Sequence, residues 1–410
     1  DDPVLARLVE DTLAGNLDLR VALARLDRAR ALLRDARLDR VPVLRAQAGA
    51  ADARSAAVDA PGAARDARDG ERYEAGIVAS WELDLFGRVR RNVEAQRAEA
   101  DATAADLRAL QVVLAGETAR TYAELRGSQE RLRVARDNAT NQRETLRLVQ
   151  ARLDAGSGTE FDLARTRAQL EATLARIPAQ EAAVARAIHR LSVLGGREPA
   201  ALWPELSEPR STPQLPARID AGTPGDLLRR RPDVAAAEQR LHAATARVGV
   251  ATADLFPRFT LAGLLGTAAG DAGDLFARDA ESRSVALGID WSFLDTGRVR
   301  ARIAAADADA EGALAAYRQS VLLALEDVEG ALVTYGRARV EDEHLARAAQ
   351  DSDEAARLAR VRFDAGAVDL LDVLDAERVR LQAQDDLAAA RARSVASAVR
   401  LYVALAGGWG

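Results

Sequence analysis

The feature that most limits what this chain can fold into is a duplication at fixed spacing. Trp81-Glu-Leu-Asp-Leu-Phe-Gly87-Arg-Val-Arg90 returns as Trp291-Ser-Phe-Leu-Asp-Thr-Gly297-Arg-Val-Arg300, 210 residues later. A second motif keeps the same offset. Arg152, Asp154, Ala155, Gly156 and Asp162 return as Arg362, Asp364, Ala365, Gly366 and Asp372. No net insertion separates the two motifs in either half, which a continuous rod demands and a loop would not maintain. Upstream the offset becomes 215: Asp18, Arg25, Asp39 and Pro42 match Asp233, Arg240, Asp254 and Pro257. The variable loop therefore falls between Pro42 and the first Trp motif. Repetition on this scale marks a supersecondary unit used twice.

The hydrophobic period sets the elements within each unit. Residues 3–14 read as a short helix and 17–40 as a second, ended by Val41-Pro42. Over 73–85, Tyr73, Ala75, Ile77, Ala79, Trp81, Leu83 and Leu85 alternate with mostly polar residues, which is the period of a two-faced strand. The same alternation, through Val285, Leu287, Ile289, Trp291 and Phe293, predicts a strand over 284–294. Residues 43–52 and 256–266 read as the preceding strands, with loops at 54–70 and 267–283.

From 88 to 155 one helix of about 68 residues is predicted, about 100 Å long. Its seam, from Ala115, Thr118, Tyr122 and Leu125 to Gln142, Val149 and Leu153, steps by threes, fours and sevens, the coiled-coil period. A tip at 156–159 leads to a return helix at 160–193, with Pro178 as a kink or break. That return is half the length of the outgoing helix, and the leading helix at 17–40 can supply the rest. A Pro-rich connector spans 195–224. The second half then gives a helix at 225–255, the two strands, a long helix at 298–364, a tip at 365–369 and a final helix at 370–405. The chain thus divides into repeats at 1–194 and 225–410 joined by the connector. Its class is mainly α with a small β part.

The tips have a local chemistry. Gly156 and Gly366 end helices cheaply because Gly accepts positive φ. Asp369 can cap the helix that follows, and Asp372 and Asp375 sit in its first turns, where carboxylates suit the helix dipole.

Composition narrows the function classes. The net charge of −6 is mild and spread out, and every basic residue is Arg, with none of the basic faces of a nucleic-acid binder. With no Cys, disulfides and thiolate metal sites are excluded. No apolar run reaches the length of a membrane-spanning helix. The chain starts at Asp1 and lacks Met, which points to a processed or trimmed product. His189, His242 and His344 are scattered, and no phosphate loop or nucleophile elbow is present, so neither an enzyme nor a cofactor is expected.

Four alternating strands of about ten residues match outer-membrane barrel strands in length and one-sided polarity. Four cannot close on themselves, and open edges are not tolerated in lipid, so such a chain must pool strands with other copies. A small soluble sheet packed on the helices is the other reading of the same pattern.

Several motifs now converge on one family. The Trp81–Arg90 run, Arg231-Pro-Asp-Val, Phe256-Pro-Arg-Phe-Thr-Leu-Ala-Gly and the tip from Phe363-Asp-Ala-Gly to Leu371-Asp-Val-Leu-Asp-Ala-Glu resemble the TolC/OprM outer membrane efflux family. The resemblance is strongest to the NodT-type lipoprotein branch of resistance-nodulation-division efflux systems, and it covers essentially the whole chain. It implies a homotrimer in the outer membrane whose subunits each give four strands to a twelve-stranded barrel, with helices forming a tunnel through the periplasm. The connector would lie in an equatorial belt. The tips would close the tunnel at rest and meet a periplasmic adaptor (membrane fusion) protein bound to an inner-membrane pump. A lipid anchor on a Cys outside this chain is also implied.

The same resemblance places the pore gate on Leu371, Asp372 and Asp375, with Asp162 of the first tip bonding across it. Arg152, Gly156, Arg362 and Gly366 would shape the tips for the adaptor, although both arginines also read as solvated or salt-bridged across the turn. Trp81 and Trp291 read as membrane-interface anchors or as side chains buried against a helix end. Asp372 and Asp375 equally suit ordinary first-turn acids. Some relatives carry Tyr where Phe363 stands and a basic residue where Val368 stands, so the latch between tips must differ here. The function implied is a passive exit duct of a tripartite efflux pump. The alternatives are a type I secretion duct or a soluble periplasmic coiled-coil scaffold or adaptor.

Overall fold

A computed structural model describes residues 2–210 and 229–405. The elements, in order, are α1 Pro3–Gly15, α2 Leu17–Leu38, β1 Val43–Arg54, β2 Asp69–Leu83, α3 Arg88–Asp154, α4 Glu160–Leu174, α5 Ile177–Leu194 and α6 Trp203–Leu206. They continue as α7 Pro232–Ala253, β3 Arg258–Ala269, β4 Glu281–Asp290, α8 Thr296–Asp364 and α9 Leu370–Ala404. Residues 211–228, which hold the second part of the connector and the start of the helix expected at 225, lie outside the described residues, as do 406–410.

The chain forms two compact units, and these cut across the sequence repeats. One unit takes 24–105 and 235–320, and the other takes 1–23, 106–234 and 321–410. Each therefore mixes both repeats, although the buried apolar clusters each form within one repeat.

In the first of these units the strands form one antiparallel sheet in the order β1-β2-β3-β4. Every strand differs from the sequence reading in at least one bound. β2 starts at Asp69 rather than 73, because β1 runs on to Arg54 and pairs it with Asp69. β3 runs to Ala269, and β4 stops at Asp290, paired with Arg258. Trp291 and Phe293, expected in the strand, lie beyond it. The chain there turns, with Asp295 N donating to Ser292 O at 3.0 Å, to start α8.

In the second unit α3 packs against α4 and α5, and α8 packs against α9. Tyr122, Leu125, Ile188 and Leu191 are almost fully buried together with Val4 and Leu8 of α1. Burial of such side chains stabilises by about 2 kcal/mol each. The other hairpin closes with Ala331 and Tyr335 against Ala398 and Leu401. On α3 the predicted seam holds: Thr118, Tyr122, Leu125, Ala139 and Val149 are all buried. The return helix expected at 160–193 is two helices. α4 ends at Leu174 and α5 restarts at Ile177, with Pro178 in its first turn, where a missing N–H costs nothing.

Candidate functional site

The two hairpin tips share one backbone design. After α3, Gly156 N donates to Leu153 O and Ser157 N to Arg152 O, both at 2.9 Å. After α8, Gly366 N donates to Phe363 O at 2.9 Å and Ala367 N to Arg362 O at 2.8 Å. This is the Schellman pattern, which satisfies the last helical carbonyls. Gly156 and Gly366 have φ of 73° and 71°. A Cβ at either would meet nothing within 4 Å, so the requirement for Gly is conformational, not spatial.

The helices that follow start differently. At the first tip Thr159 caps α4. Its hydroxyl accepts from Asp162 N at 3.1 Å and donates to the Asp162 carboxylate at 2.6 Å. At the second tip Asp369 caps α9, accepting from Asp372 N at 3.1 Å. Asp372 is exposed, and its carboxylate makes no hydrogen bond or ion pair among the described residues. Asp375 accepts from Arg378 at 2.8 Å, and Leu371 is 46% exposed. Leu371, Asp372 and Asp375 thus form one open stripe on α9, whereas Asp162 is held in its own cap.

Arg152 is exposed, as expected of a solvated arginine, but instead of a salt bridge across its turn its guanidinium lies over the ring of Phe363, 4.2 Å from the centroid. The two tips are therefore in contact within one subunit, through a cation–π pair at the position where Tyr was missed. Arg362 stays exposed.

About two turns above the second tip lies a polar cluster that the sequence reading missed. Glu377 is buried, accepting from Arg360 at 2.9 Å across the hairpin and pairing with Arg380 at 2.7 Å. Beside it, both amide atoms of Gln142 are buried without a partner, facing a cavity of about 10 Å³. That is the room one water needs. Higher on the same pair of helices, Arg131 makes a bidentate bond to Asp385 at 2.7 and 3.1 Å. No periodicity could foretell the Arg131–Asp385 pair, because it joins residues 254 apart. The only available signal was the interruption of an apolar seam by Gln142 and Glu377.

The sheet has two distinct faces. Register places Leu44, Ala79, Gly263 and Val285 on one face, and Ala46, Ile77, Leu265 and Arg283 in the next row. Trp81, Leu261 and Leu287 align on the same face, which on β2 is apolar from Tyr73 to Leu83, while β4 adds Glu281 and Arg283 at the end away from the helices. That stretch is about 34 Å along the strand and about 24 Å if tilted by 45°, the height of a lipid-facing band. The opposite face carries Arg45, Glu74, Ser80, Glu82 and Asp290. It also carries Gly76 opposite Gly266. A Cβ on Gly76 would lie 2.9 Å from Leu265 O, so two side chains do not fit and the strands close up on this face.

Both tryptophans mark the helix end of the sheet. Trp81 Nε1 donates to Arg40 O at 3.1 Å, and Trp291 Nε1 donates to Leu255 O at 3.0 Å. Each acceptor lies just past the helix that leads into the sheet. The two tryptophans are thus not buried against a helix end. Trp291 is 52% exposed, and each indole is tied to the chain beyond that end.

No described helix is long and apolar enough to cross a membrane, and among the described residues no group of His, Asp and Glu could hold a metal ion. The apolar sheet face joined to helical hairpins defines a class, the outer-membrane channels with a helical portion. More particularly, the chain belongs to the outer membrane efflux protein family, whose sequence profile matches residues 8–197 and 223–407. It is 32% identical over 412 residues to the solvent efflux pump outer membrane protein SrpC of Pseudomonas putida, covering 100% of this chain and 86% of that one. Outer membrane protein OprJ of Pseudomonas aeruginosa is 33% identical over 417 residues, covering 100% of this chain and 85% of OprJ. The solved outer-membrane channel OprN superposes with a TM-score of 0.94 at 45% identity, covering 100% of this chain and 91% of that one. This is a family of passive channels, not of enzymes.

Proposed function

We propose that the chain is one subunit of a homotrimeric outer-membrane duct that passively conducts exported small molecules from periplasm to exterior. It would work with a periplasmic adaptor and an inner-membrane pump. The observation that carries this reading is the sheet. One face is apolar from Tyr73 to Leu83 on β2 and from Val285 to Ile289 on β4, and β1 and β4 are each paired on one side only. Val285, Leu287 and Ile289 of β4 are 60% exposed or more. Lipid does not tolerate an open edge, and three copies joining β4 to the next β1 would close a twelve-stranded wall. Trp81 and Trp291 would then sit at the membrane interface.

At the tips, Leu371 would form an apolar iris, and Asp372 and Asp375 would form acidic rings that favour cations. Asp162 would line the first tip, and Arg152, Gly156, Arg362 and Gly366 would shape the surface met by the adaptor. The described residues contain no nucleotide loop, so transport energy would come from the pump. The relatives' names favour small-molecule efflux over polypeptide secretion: SrpC is named as part of a solvent efflux pump. A soluble scaffold would have no use for the apolar face.

The reading is tested in planar bilayers with purified protein. Discrete cation-preferring channels are expected, and a protein that leaves the membrane in plain buffer and forms no channel contradicts it.

A further inference from the structure

The unit that holds the sheet also holds a groove of about 560 Å³ between the end of α2, the start of α3 and the middle of α7. Arg37, Arg40, Arg90, Arg97 and His242 line it, against Glu94 and Asp101. All four arginines are exposed. The carboxylates are already engaged. Glu94 accepts from His242 at 2.9 Å and Arg91 at 2.7 Å, and these hold its carboxyl below the usual range. Asp101 lies 4.0 Å from Arg97, and Arg90 lies 3.1 Å from Asp84. Arg37 and Arg40 make no ion pair among the described residues. The groove therefore carries an excess of positive charge, four arginines against two carboxylates.

Its side of the wall follows from two bonds. Trp81, on the apolar sheet face, donates its indole N–H to Arg40 O, which ties Arg40 to that side. Arg88 pairs bidentately with Glu82, which belongs to the polar sheet face. Two residues along a helix turn about 200°, so the row Arg90, Glu94, Arg97 and Asp101 faces away from the Glu82 side. The groove thus opens on the side of the apolar face, at its helix end.

We propose that this groove binds the headgroup phosphate of an anionic phospholipid in the periplasmic leaflet of the outer membrane. Arg37 and Arg40 would take the phosphate oxygens, and the acyl chains would run along Ile77, Ala79 and Trp81. Guanidinium forks match phosphate oxygens bidentately, and clustered arginines beside an apolar band attract anionic lipid. The proposal rests on the reading of the sheet as a membrane wall with its apolar face outward.

The test uses the purified trimer and native mass spectrometry. Phosphatidylglycerol, phosphatidylcholine and inorganic phosphate are supplied separately. Retained phosphatidylglycerol is expected in excess of phosphatidylcholine. Arg37→Gln and Arg40→Gln are each expected to lower its retention about fivefold, and together roughly 25-fold. Arg45→Gln removes the same charge from the polar sheet face and is expected to leave retention unchanged. If the double variant does not assemble, the two single variants carry the test. Equal retention of both lipids, unchanged retention in the groove variants, or displacement by inorganic phosphate at equal concentration would each overturn the proposal. A chain absent from the outer-membrane fraction would instead break the underlying reading, and that result is read before any lipid is added.

Discussion

In the first half of the chain, Asn16 donates to Leu194 O at 2.9 Å, the carbonyl that ends the return helix, and also caps α2. At the matching position of the second half stands Arg231, which donates to Ala404 O at 3.1 Å, the matching carbonyl. It also pairs with Asp233 at 2.6 Å and Asp327 at 3.3 Å. The tips repeat the contrast. Asp162 is consumed by its own cap, whereas Asp372 is left open. Duplication has kept the backbone and changed its load. The second hairpin is anchored by charge at its base and exposes charge at its tip. The first is anchored by a neutral amide, and its tip arginine is spent on supporting Phe363.

The contrast can be broken at the anchors first. Arg231→Ala should cost about 3 kcal/mol, the low end for a broken buried pair because both Asp partners keep solvent contact. Asn16→Ala should cost about 1 kcal/mol, as for a lost cap. Denaturant unfolding of the purified protein measures both, and equal losses would erase the distinction.

At the tips, Asp372→Ala with Asp375→Ala should raise single-channel conductance and move the reversal potential toward zero, whereas Asp162→Ala should move neither. A change caused by Asp162→Ala alone would transfer the gate to the first tip. Gly366→Ala should cost about 1 kcal/mol through its positive φ, read by the same unfolding assay. Smaller still is the Arg152–Phe363 pair. A double-mutant cycle with Arg152→Gln and Phe363→Leu should give a coupling of about 0.5–1 kcal/mol, and a coupling of zero would remove it as a latch.

Acid should also separate the two anchors. Burial raises the Asp233 pKa, but the Arg231 bond outweighs it and holds the group below its ordinary 3.8. A depressed carboxylate contributes stability above its unfolded pKa and loses it as pH falls through the folded value. Stability should therefore drop below about pH 4, and Asp233→Asn should flatten that limb. Asn16 has no proton to gain.

The elements legible in the sequence were those fixed by local rules. Gly156 and Gly366 require positive φ whatever surrounds them, and the alternation at Tyr73–Leu83 reports a two-faced strand directly. Alternation failed at Trp291 and Phe293, whose apolar period continues past the last paired residue. Those rings pack against each other at a tilt of 44°, 5.3 Å between centroids, so apolar character persists without a ladder. The compact units and the pairs Arg152–Phe363 and Arg131–Asp385 were illegible, because packing between hairpins leaves no trace in either hairpin's own period. Of the tip residues, the sequence identified which carboxylates lie there but not which one its cap consumes.

The most direct test of closure uses the absence of Cys from the chain. Ala46→Cys on β1 is combined in turn with Val285→Cys, Leu287→Cys or Ile289→Cys on β4, and the outer membranes are oxidised. A closed three-subunit wall predicts a ladder of cross-linked species that stops at three chains for the pair in register. A ladder that never leaves one chain, or one that continues past three, would contradict it.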